Sequence, residues 1–322
     1  MMLSSCRTCL VTGGAGFIGS HLVDELMRRG CRVVVFDNLS SGSVENISRW
    51  LGHGGFTFIQ GDLLDMDETF RAVGNADVVF HLAANPEVRV GSVSPEVHYR
   101  QNVEATFNLL EAVRRSRSVE TFVFTSSSTV YGEPRRIPTP ENYSPLEPIS
   151  VYGASKLACE ALITSYAHTY GFRAVIYRLA NIVGPRSRHG VIYDFIRKLR
   201  SNPRELEILG DGTQTKSYLY VSDCVEAMLL GLEKADGQVE VFNVGSEDQL
   251  NVKRIAEIVV REMGLKNVKF KLTGGVDGGR GWKGDVKNML LDVGKLKSLG
   301  WKPRYNSEES VRLAAKSLIS EI

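Results

Sequence analysis

Short apolar runs alternate with segments of helical periodicity through the first 125 residues. Helical patterning follows the first apolar run at residues 21–27 and recurs at 103–114. The apolar runs, which we predict to be β-strands, are residues 9–11, 32–36, 56–59, 76–82 and 121–125. Strands that alternate with helices in this way are typical of βαβ units. The pattern therefore predicts an α/β fold with a doubly wound parallel sheet.

The composition of the chain changes after about residue 180, where glycine and proline become frequent. Examples are residues 183–186, 209–213 and 274–281. Loops of this kind suit a smaller lobe that holds a ligand. We expect residues 1–180 to form the main domain, with segments near 213–245 returning to it. Residues 181–322 should form mainly a smaller mixed α/β lobe.

Composition excludes several classes of function. The chain has 322 residues, 43% of them apolar, and its 39 basic and 37 acidic residues give a formal net charge of +2. It contains no run of five like charges, which argues against a nucleic-acid partner. No apolar stretch approaches the roughly 18 residues that span a bilayer, and residues 1–7 are too short for a signal peptide. We therefore expect a cytoplasmic protein that binds neither nucleic acid nor membrane.

Five cysteines give no even framework for disulfide pairing. Cys6 and Cys9 lead into the first predicted strand, where residues three apart lie roughly 10 Å from each other. A disulfide needs Cα atoms within about 7 Å. No second cysteine or histidine pair stands at ligand spacing. We therefore predict no metal, and a redox or metal site at Cys6 and Cys9 is the alternative.

A glycine-rich segment at residues 12–20 (TGGAGFIGS) joins the first predicted strand to the first predicted helix. In such a turn Gly13 makes the tight bend, Gly16 lets phosphate groups approach the backbone, and Gly19 allows helix and strand to pack closely. The free N–H groups and the dipole of the helix then face the anion. The segment predicts a pyrophosphate site, and the alternative is a structural glycine turn in another α/β protein.

Two further features point to a dinucleotide. Asp37 ends the second predicted strand roughly 20 residues on, where a carboxylate accepts hydrogen bonds from a ribose diol and repels a 2′-phosphate. The fourth predicted strand ends in Leu82, Ala83 and Ala84, where small side chains leave room for a cofactor at the carboxyl edge of the sheet. We therefore predict NAD rather than NADP.

Tyr152 and Lys156 stand four residues apart at the start of a predicted helix, so both side chains share one helical face. A phenol with a pKa of about 10 is a poor base at neutral pH, but a neighbouring ammonium and the positive ring of oxidised nicotinamide favour its anion. Tyr152 could then take a proton from a substrate hydroxyl. Ser127, in a run of hydroxyl residues after the fifth predicted strand, is the expected proton partner. Surface helices also carry such pairs and a hydroxyl run can cap its own turn, but beside the glycine turn the three elements indicate catalysis.

In these segments the chain resembles extended short-chain dehydrogenases/reductases of the NAD-dependent sugar epimerase/dehydratase group, most closely the archaeal-type UDP-glucose (UDP-galactose) 4-epimerases. The resemblance covers essentially the whole length. The matching segments are residues 11–19, 37–39, 61–63, 81–84, 102–103, 126–132, Tyr152 with Lys156, Asn181, 216–218 and 220–223. It implies a Rossmann-type NAD-binding domain and a UDP-sugar-binding lobe.

The resemblance also implies a mechanism. Tyr152 removes the proton of the sugar 4-hydroxyl, Ser127 relays it, and the hydride of C4 passes to tightly held NAD. The 4-keto sugar rotates and takes the hydride back on its other face, while Lys156 holds the nicotinamide ribose and supports the phenolate. Dehydratases of the group carry an Asp-Glu pair, and decarboxylases a Glu, where this chain has Ser128 and Thr129. These positions therefore favour epimerisation at C4.

The resemblance places two sets of residues around the ligands. The cofactor set is Gly13, Gly16, Phe17, Ile18, Asp37, Asn38, Ser41, Gly42, Asp62, Leu63, Leu82, Ala83, Ala84, Asn102, Thr125, Tyr152 and Lys156. The substrate set is Ser127, Asn181, Val191, Ile208, Lys216, Tyr218 and Arg280. Asn181 is implied to contact the diphosphate. Arg280 is our candidate for its clamp because a guanidinium fork suits phosphate oxygens, and Lys283 and Arg186 compete for that role.

Three positions depart from the pattern of the family, and a fourth concerns the choice of sugar. Lys216 stands where many relatives have Arg, Ser217 where many have Asp, and Pro86 where some bacterial members have a cofactor-binding Lys. Met289 falls beside the C2 substituent of the sugar, where a flexible Met could admit or exclude an N-acetyl group, or it is plain core.

The resemblance implies a homodimer through the helices near residues 103–114 and 153–169, although an apolar stripe there could instead be ordinary core. Other readings of the function stay open. They are a UDP-N-acetylhexosamine or UDP-uronate 4-epimerase, a decarboxylase, a dehydratase, a GDP-sugar enzyme, and a non-catalytic NAD-binding sensor, because fold alone does not fix function.

Overall fold

The computed structural model describes residues 7–322, so Cys6 of the cysteine pair lies outside the described residues. The strands are β1 Thr8–Thr12, β2 Arg32–Asp37, β3 Phe56–Gln60, β4 Val78–His81, β5 Thr121–Ser127, β6 Arg173–Leu179, β7 Asn181–Val183, β8 Glu205–Ile208, β9 Thr215–Lys216, β10 Tyr218–Tyr220, β11 Val239–Val244, β12 Leu250–Asn251, β13 Lys269–Leu272 and β14 Asn288–Met289. The helices are α1 Phe17–Arg28, α2 Met66–Val73, α3 Pro95–His98, α4 Ala105–Ser116, α5 Val151–Tyr170, α6 Val191–Ser201, α7 Val221–Lys234, α8 Val252–Glu262, α9 Gly294–Ser298 and α10 Ser307–Glu321. Three 3-10 segments (Val44–Trp50, Val88–Ser92 and Ser128–Tyr131) and one π-helical segment (Tyr99–Glu104) complete the helical structure.

Seven parallel strands form the central sheet, in the order β11-β6-β5-β4-β1-β2-β3. Strand β1 pairs with β2 on one side and with β4 on the other. The chain first builds outward to β3 and then restarts on the opposite side at β4. Ligands bind outside the carboxyl ends of the strands at such a reversal of strand order. The predicted α/β fold with a doubly wound parallel sheet is confirmed.

Helices cover both faces of the central sheet. Helices α1 and α7 pack on one face, and α2, α4 and α5 pack on the other. On β4, Val78 and Phe80 belong to one core whereas Val79 belongs to the other, because successive strand residues point to opposite faces. Burial on both faces explains why these strands read in the sequence as uninterrupted apolar runs.

A third core lies away from the central sheet, among α6, α8 and α10. Ile196, Ile255 and Val311 are fully buried there. Three small sheets, ordered β10-β7, β12-β9-β14 and β13-β8, belong to the same half of the chain. Strand β11 instead returns to the central sheet beside β6. A smaller mixed α/β lobe is therefore present, while the residue limits of the two domains stay a prediction.

Between residues 7 and 322, every helix is too short or too polar to cross a membrane. The same residues hold no group of three or more His, Cys, Asp or Glu side chains arranged to bind a metal ion. Cys9, Cys31, Cys159 and Cys224 are buried, and none of them forms a disulfide within residues 7–322.

Candidate active site

A cavity of about 1340 Å³ runs along the carboxyl edge of the central sheet. The predicted site residues that line it are Gly13, Gly16, Phe17, Ile18, Asp37, Asn38, Ser41, Asp62, Leu63, Leu82, Ala83, Ala84, Thr125, Ser127, Tyr152, Lys156, Asn181, Val191, Lys216 and Tyr218. Most of the predicted residues therefore share one cavity, and their roles toward a ligand stay a prediction. Gly42, Asn102, Ile208 and Arg280 are not part of its lining.

The glycine turn between β1 and α1 is shaped by close backbone contacts. Gly13 has φ +70°, and a Cβ at this position would lie 2.6 Å from the backbone N of Ala83. A Cβ on Gly19 would lie 2.1 Å from the carbonyl O of Gly13. Gly16 is the N-cap of α1 and provides no side-chain cap, so N–H groups of the first turn face the cavity without a side chain in front of them. This cradle fits a pyrophosphate.

The carboxylate of Asp37 lies at the end of β2. It accepts hydrogen bonds from the backbone N of Ala15 at 3.0 Å and of Leu39 at 2.8 Å. Burial raises the pKa of Asp37, and these two hydrogen bonds oppose the rise. Beyond it, the carboxylate of Asp62 accepts a hydrogen bond from Asn38 Nδ2 at 3.1 Å. Together with the glycine turn, these carboxylates fit the ribose and base end of a dinucleotide.

Tyr152 and Lys156 lie on helix α5, in the wall of the cavity opposite the glycine turn. Ser150 caps the helix by accepting a hydrogen bond from the backbone N of Gly153 at 3.0 Å. Gly153 permits a close approach, because a Cβ there would lie 2.7 Å from the carbonyl O of Thr129. The start of α5 therefore sits directly against the 3-10 segment that follows Ser127.

Ser127 lies beside the phenol of Tyr152, and their side chains interact. Ser127 Oγ also accepts hydrogen bonds from Thr129, at 3.2 Å from the backbone N and 3.0 Å from Oγ1. Burial raises the pKa of Tyr152 to about 12, and the interaction with Ser127 opposes this rise. The polypeptide alone therefore does not lower the pKa of the phenol. The spacing to Lys156 had led us to expect that it would be lowered.

The ammonium group of Lys156 is buried beneath the site. Its Nζ donates to the carbonyl O of Thr125 at 2.9 Å and lies 4.7 Å from the ring centroid of Phe124. The same atom is 6.0 Å from the ring centroid of Tyr152. Burial lowers the pKa of Lys156 to about 8, and the nearby Cys159 and Glu160 oppose the fall. Lys156 therefore remains mostly charged at neutral pH, next to the phenol.

Two buried histidines in the site were not among the site residues predicted from the sequence. The ring of His98 packs edge-on against Tyr152 with centroids 5.5 Å apart, and burial lowers its pKa. His81 lies between the hydroxyls of Thr12 and Thr106, at 2.7 and 2.9 Å, and burial lowers its pKa to about 3. Both rings are therefore neutral near pH 7. No local pattern marks His98, because it lies on α3, far from Tyr152 in the chain.

Two predicted cofactor contacts fall behind the cavity wall. Asn102 accepts a hydrogen bond from the backbone N of Asn85 at 2.9 Å and donates to Ser155 Oγ at 2.8 Å. Its amide therefore joins the loop after β4 to α5. Gly42 packs against the backbone of Ala15, where a Cβ would lie 2.8 Å from the carbonyl carbon. Both residues are placed to support the site from outside its lining.

The predicted substrate contacts at Ile208 and Arg280 also lie outside the lining. Ile208 is fully buried in the third core, and the next residue, Leu209, lines the cavity instead. Arg280 pairs with Glu133 and donates to the carbonyl O of Asp285 at 2.6 Å. Its guanidinium is thus committed to other protein groups.

The competing candidates for the diphosphate differ in position. Lys283 is exposed and lies outside the lining, whereas Arg186 lines the cavity. Arg186 donates to Asp24 at 2.9 Å. Arg188, which the sequence did not single out, lines the cavity and makes no ion pair with any carboxylate in the described part of the chain.

Lys216 and Met289 lie side by side where β9 pairs with β14. Lys216 Nζ is 2.5 Å from the buried carboxylate of Asp285 and 5.3 Å from the ring centroid of Trp282. All four residues line the cavity. Met289 is therefore both largely buried and part of the wall, so the core and ligand-contact hypotheses for it are compatible.

The chain is similar in sequence and in structure to several known proteins. The sequence model of the NAD dependent epimerase/dehydratase family matches residues 9–245. A Methanocaldococcus jannaschii protein, provisionally named UDP-glucose 4-epimerase, is 36% identical over 310 residues, covering 94% of this chain and 95% of the relative. UDP-glucuronic acid decarboxylase 3 of Arabidopsis thaliana is 32% identical over 314 residues, covering 94% and 86% of the two chains. A crystal structure of a UDP-galactose 4-epimerase, 48% identical, superposes with a TM-score of 0.87 and covers 98% of this chain and 100% of its own.

Proposed function

Because the chain belongs to the NAD dependent epimerase/dehydratase family, we propose that it is an NAD-dependent isomerase that interconverts UDP-galactose and UDP-glucose. The observation that carries the proposal is the meeting of Ser127, Tyr152 and Lys156 in one wall of the cavity, opposite the glycine turn. A cavity of about 1340 Å³ has room for more than one ligand.

NAD bound at the glycine turn would supply an acceptor for the hydride at C4 of the sugar. Ser127, beside the phenol, passes the proton of the sugar 4-hydroxyl to the phenolate of Tyr152. Lys156 stays in place through its hydrogen bond to Thr125, and its positive charge favours the phenolate. When the 4-keto sugar presents its other face, return of the hydride to C4 would be accompanied by return of the proton from the same phenol.

The lining beside Tyr152 disfavours the other reactions of the family. Ser128 and Thr129 both line the cavity, and neither carries a carboxylate that could eliminate water or assist the loss of carbon dioxide. A hydroxyl offers no general acid or base of suitable pKa for those steps. The absence of a carboxylate at these two positions therefore supports epimerisation over dehydration and decarboxylation.

The smaller lobe supplies the proposed nucleotide-sugar contacts. Asn181 Nδ2 donates to the carbonyl O of Ser217 at 3.1 Å, which leaves its amide oxygen and one N–H for a ligand. Arg188, for which residues 7–322 provide no ion-pair partner, offers positive charge for a diphosphate. Lys216 also lines the cavity, but its charge is shared with Asp285. Met289 borders the C2 substituent in this proposal, so a UDP-N-acetylhexosamine is the second candidate substrate.

The proposed assembly is a homodimer through α4 and α5, in a cytoplasmic protein. Phe107 on α4 and Tyr170 on α5 are exposed by 43% and 49%. Tyr166 lies between them, with ring-centroid distances of 6.5 Å to Phe107 and 5.1 Å to Tyr170. An aromatic patch of this kind on two neighbouring helices suits a subunit interface.

The test is to incubate the purified protein with UDP-galactose, without added NAD, and to follow the anomeric proton signals by NMR. Conversion to UDP-glucose with no change in mass supports a 4-epimerase that retains its cofactor. If no signal changes, NAD is added and the assay is repeated with UDP-N-acetylgalactosamine and UDP-glucuronate. Inactivity toward all three substrates with NAD present would overturn the proposal.

A further inference from the structure

A buried ion pair lies behind the active site. Glu160 on α5 and Arg178 on β6 approach to 2.7 Å, and their side chains are only 6% and 7% exposed. Arg178 Nε also donates to both carboxylate oxygens, at 3.1 and 3.2 Å. Buried ions are costly unless their geometry is good and their remaining groups are hydrogen-bonded. This pair meets both conditions.

The far side of the pair is also fully hydrogen-bonded. Arg178 Nη1 donates to Tyr131 Oη at 2.9 Å and to the carbonyl O of Glu141 at 3.1 Å. Tyr131 in turn donates to Asn243 Oδ1 at 2.7 Å. The backbone N of Asn243 donates to Glu141 Oε1 at 2.9 Å. The network therefore fixes the position of Arg178 from β11 and from the segment after β5.

The near side of the pair reaches the catalytic strand. Ser126 Oγ donates to Glu160 Oε1, and Ser126 stands between two residues of the active site. The residue before it, Thr125, accepts the hydrogen bond from Lys156, and the residue after it, Ser127, lies beside Tyr152. Glu160 is one helical turn beyond Lys156, on the same side of α5.

We propose that the Glu160–Arg178 ion pair is a positioning device for catalysis, which holds α5 in register with the end of β5 and keeps the ammonium group of Lys156 beside Tyr152. Neither residue touches the cavity in this arrangement, and both act through their neighbours. This inference depends on the proposed function only for the measurements of turnover.

The surroundings of Lys156 give Glu160 its electrostatic role. The titratable groups that face Lys156 are Tyr152, Cys159 and Glu160 on α5, His81 on β4 and His98 on α3. Burial raises the pKa values of Tyr152 and Cys159 and lowers those of the two histidines, so all four are neutral near pH 7. Glu160 is the carboxylate in this group, and its charge opposes the effect of burial on the pKa of Lys156.

The central experiment is Glu160→Gln, which removes the charge but keeps an oxygen that can accept from Ser126. The titration of Lys156 is read by NMR of protein labelled at lysine Cε, with the resonance identified by its loss in Lys156→Met. We expect the pKa of Lys156 to fall by about one unit, as for loss of a nearby opposite charge. We also expect kcat at pH 8 to fall about fivefold, with the KM for UDP-galactose nearly unchanged and the basic limb of kcat moved to lower pH by about one unit.

Glu141→Gln is the matched control, because it removes another carboxylate from the same network that does not face Lys156. Its Lys156 titration and basic limb should match those of the wild type. Ser126→Ala breaks the link from Glu160 to β5 without changing any charge. We expect it to lower kcat severalfold while leaving the Lys156 titration unmoved.

A folded Glu160→Gln protein with normal NAD content and a wild-type Lys156 titration would overturn the inference. If that variant does not fold, the double variant Glu160→Met with Arg178→Met replaces the pair by apolar side chains. A smaller fall in the pKa of Lys156 is then expected, because the positive charge of Arg178 is removed as well. The NMR readout needs no substrate. The two proposals can therefore fail separately. If the wild type epimerises no UDP-sugar but Glu160→Gln still shifts the titration of Lys156, the proposed function is contradicted and this inference is supported.

Discussion

Tyr152 is the residue on which the proposed reaction depends most directly. Tyr152→Phe removes the phenol oxygen and keeps the ring that packs against His98. We expect turnover of UDP-galactose to fall by roughly two to four orders of magnitude, the usual worth of a general acid or base. The NMR assay measures the rate, and bound NAD and the melting temperature should stay at wild-type values. Near-normal turnover would remove Tyr152 from the mechanism.

Lys156 links protonation to stability. Burial lowers its pKa in the folded protein to about 8, whereas an unfolded lysine titrates at about 10.4. Between these values the unfolded chain binds more protons, so this residue makes the folded state more stable as pH rises from 8 to about 10.5. We expect the free energy of unfolding of the wild type, relative to Lys156→Met, to rise by roughly 2 to 3 kcal/mol over that window.

Urea denaturation of the wild type and Lys156→Met at pH 7, 8, 9 and 10 measures this difference. Below pH 8 the difference should be flat, because both folded and unfolded states hold the proton. A difference that does not change with pH would contradict the burial of a charged Lys156.

Sequence reasoning selected residues whose expected roles rest on short spacing. The glycine turn, Asp37, Tyr152 and Lys156 lie in local patterns with a direct chemical meaning, and all line the cavity. Arg280 shows the limit of such reasoning, because its partner Glu133 is far away in the chain. A side chain's own sequence context does not reveal whether a distant carboxylate will pair with it.

At the scale of elements, apolar runs predicted strands well and long-range pairing poorly. Predicted strands at 32–36 and 56–59 differ from β2 and β3 by one residue each. The two-residue strands β9 and β14 were not predicted, since their pairing joins Thr215–Lys216 to a segment that begins at Asn288. Such strands have no periodicity of their own, and only the folded chain brings them together.

The start of α1 distinguishes two uses of glycine. Gly19→Ala puts a Cβ 2.1 Å from the carbonyl O of Gly13, so we expect the turn to shift and the free energy of unfolding to fall by about 1 to 3 kcal/mol. Gly16→Ala has Gly13 O at 3.1 Å as its near neighbour and should fold almost normally. Its Cβ would nevertheless enter the proposed phosphate cradle and weaken NAD binding.

Thermal unfolding and NAD titration of the two purified variants test this contrast. The expected result is that Gly16→Ala loses NAD affinity with a small change in stability, whereas Gly19→Ala loses both. Equal NAD affinity in Gly16→Ala and wild type would place the pyrophosphate elsewhere.

At the scale of the whole molecule, the proposed dimer can be tested with two similar phenylalanines. Phe107 on α4 is 43% exposed and Phe70 on α2 is 45% exposed. We expect Phe107→Glu to convert the dimer to a monomer, because a charge at an apolar interface is desolvated without a partner. Phe70→Glu should leave the dimer intact. Light scattering coupled to size-exclusion chromatography measures the mass, and a wild-type mass for both variants would move the interface away from α4.

The cavity has a consequence for how the chain is made. Its walls include residues as distant in sequence as Gly13 and Leu318. On the ribosome the glycine turn emerges early, but α10, which carries Leu318, follows all the other walls. A nascent chain therefore lacks part of the pocket until α10 has been synthesised. We expect the complete pocket, and the binding of a ligand that contacts all of it, to form only after translation of this helix.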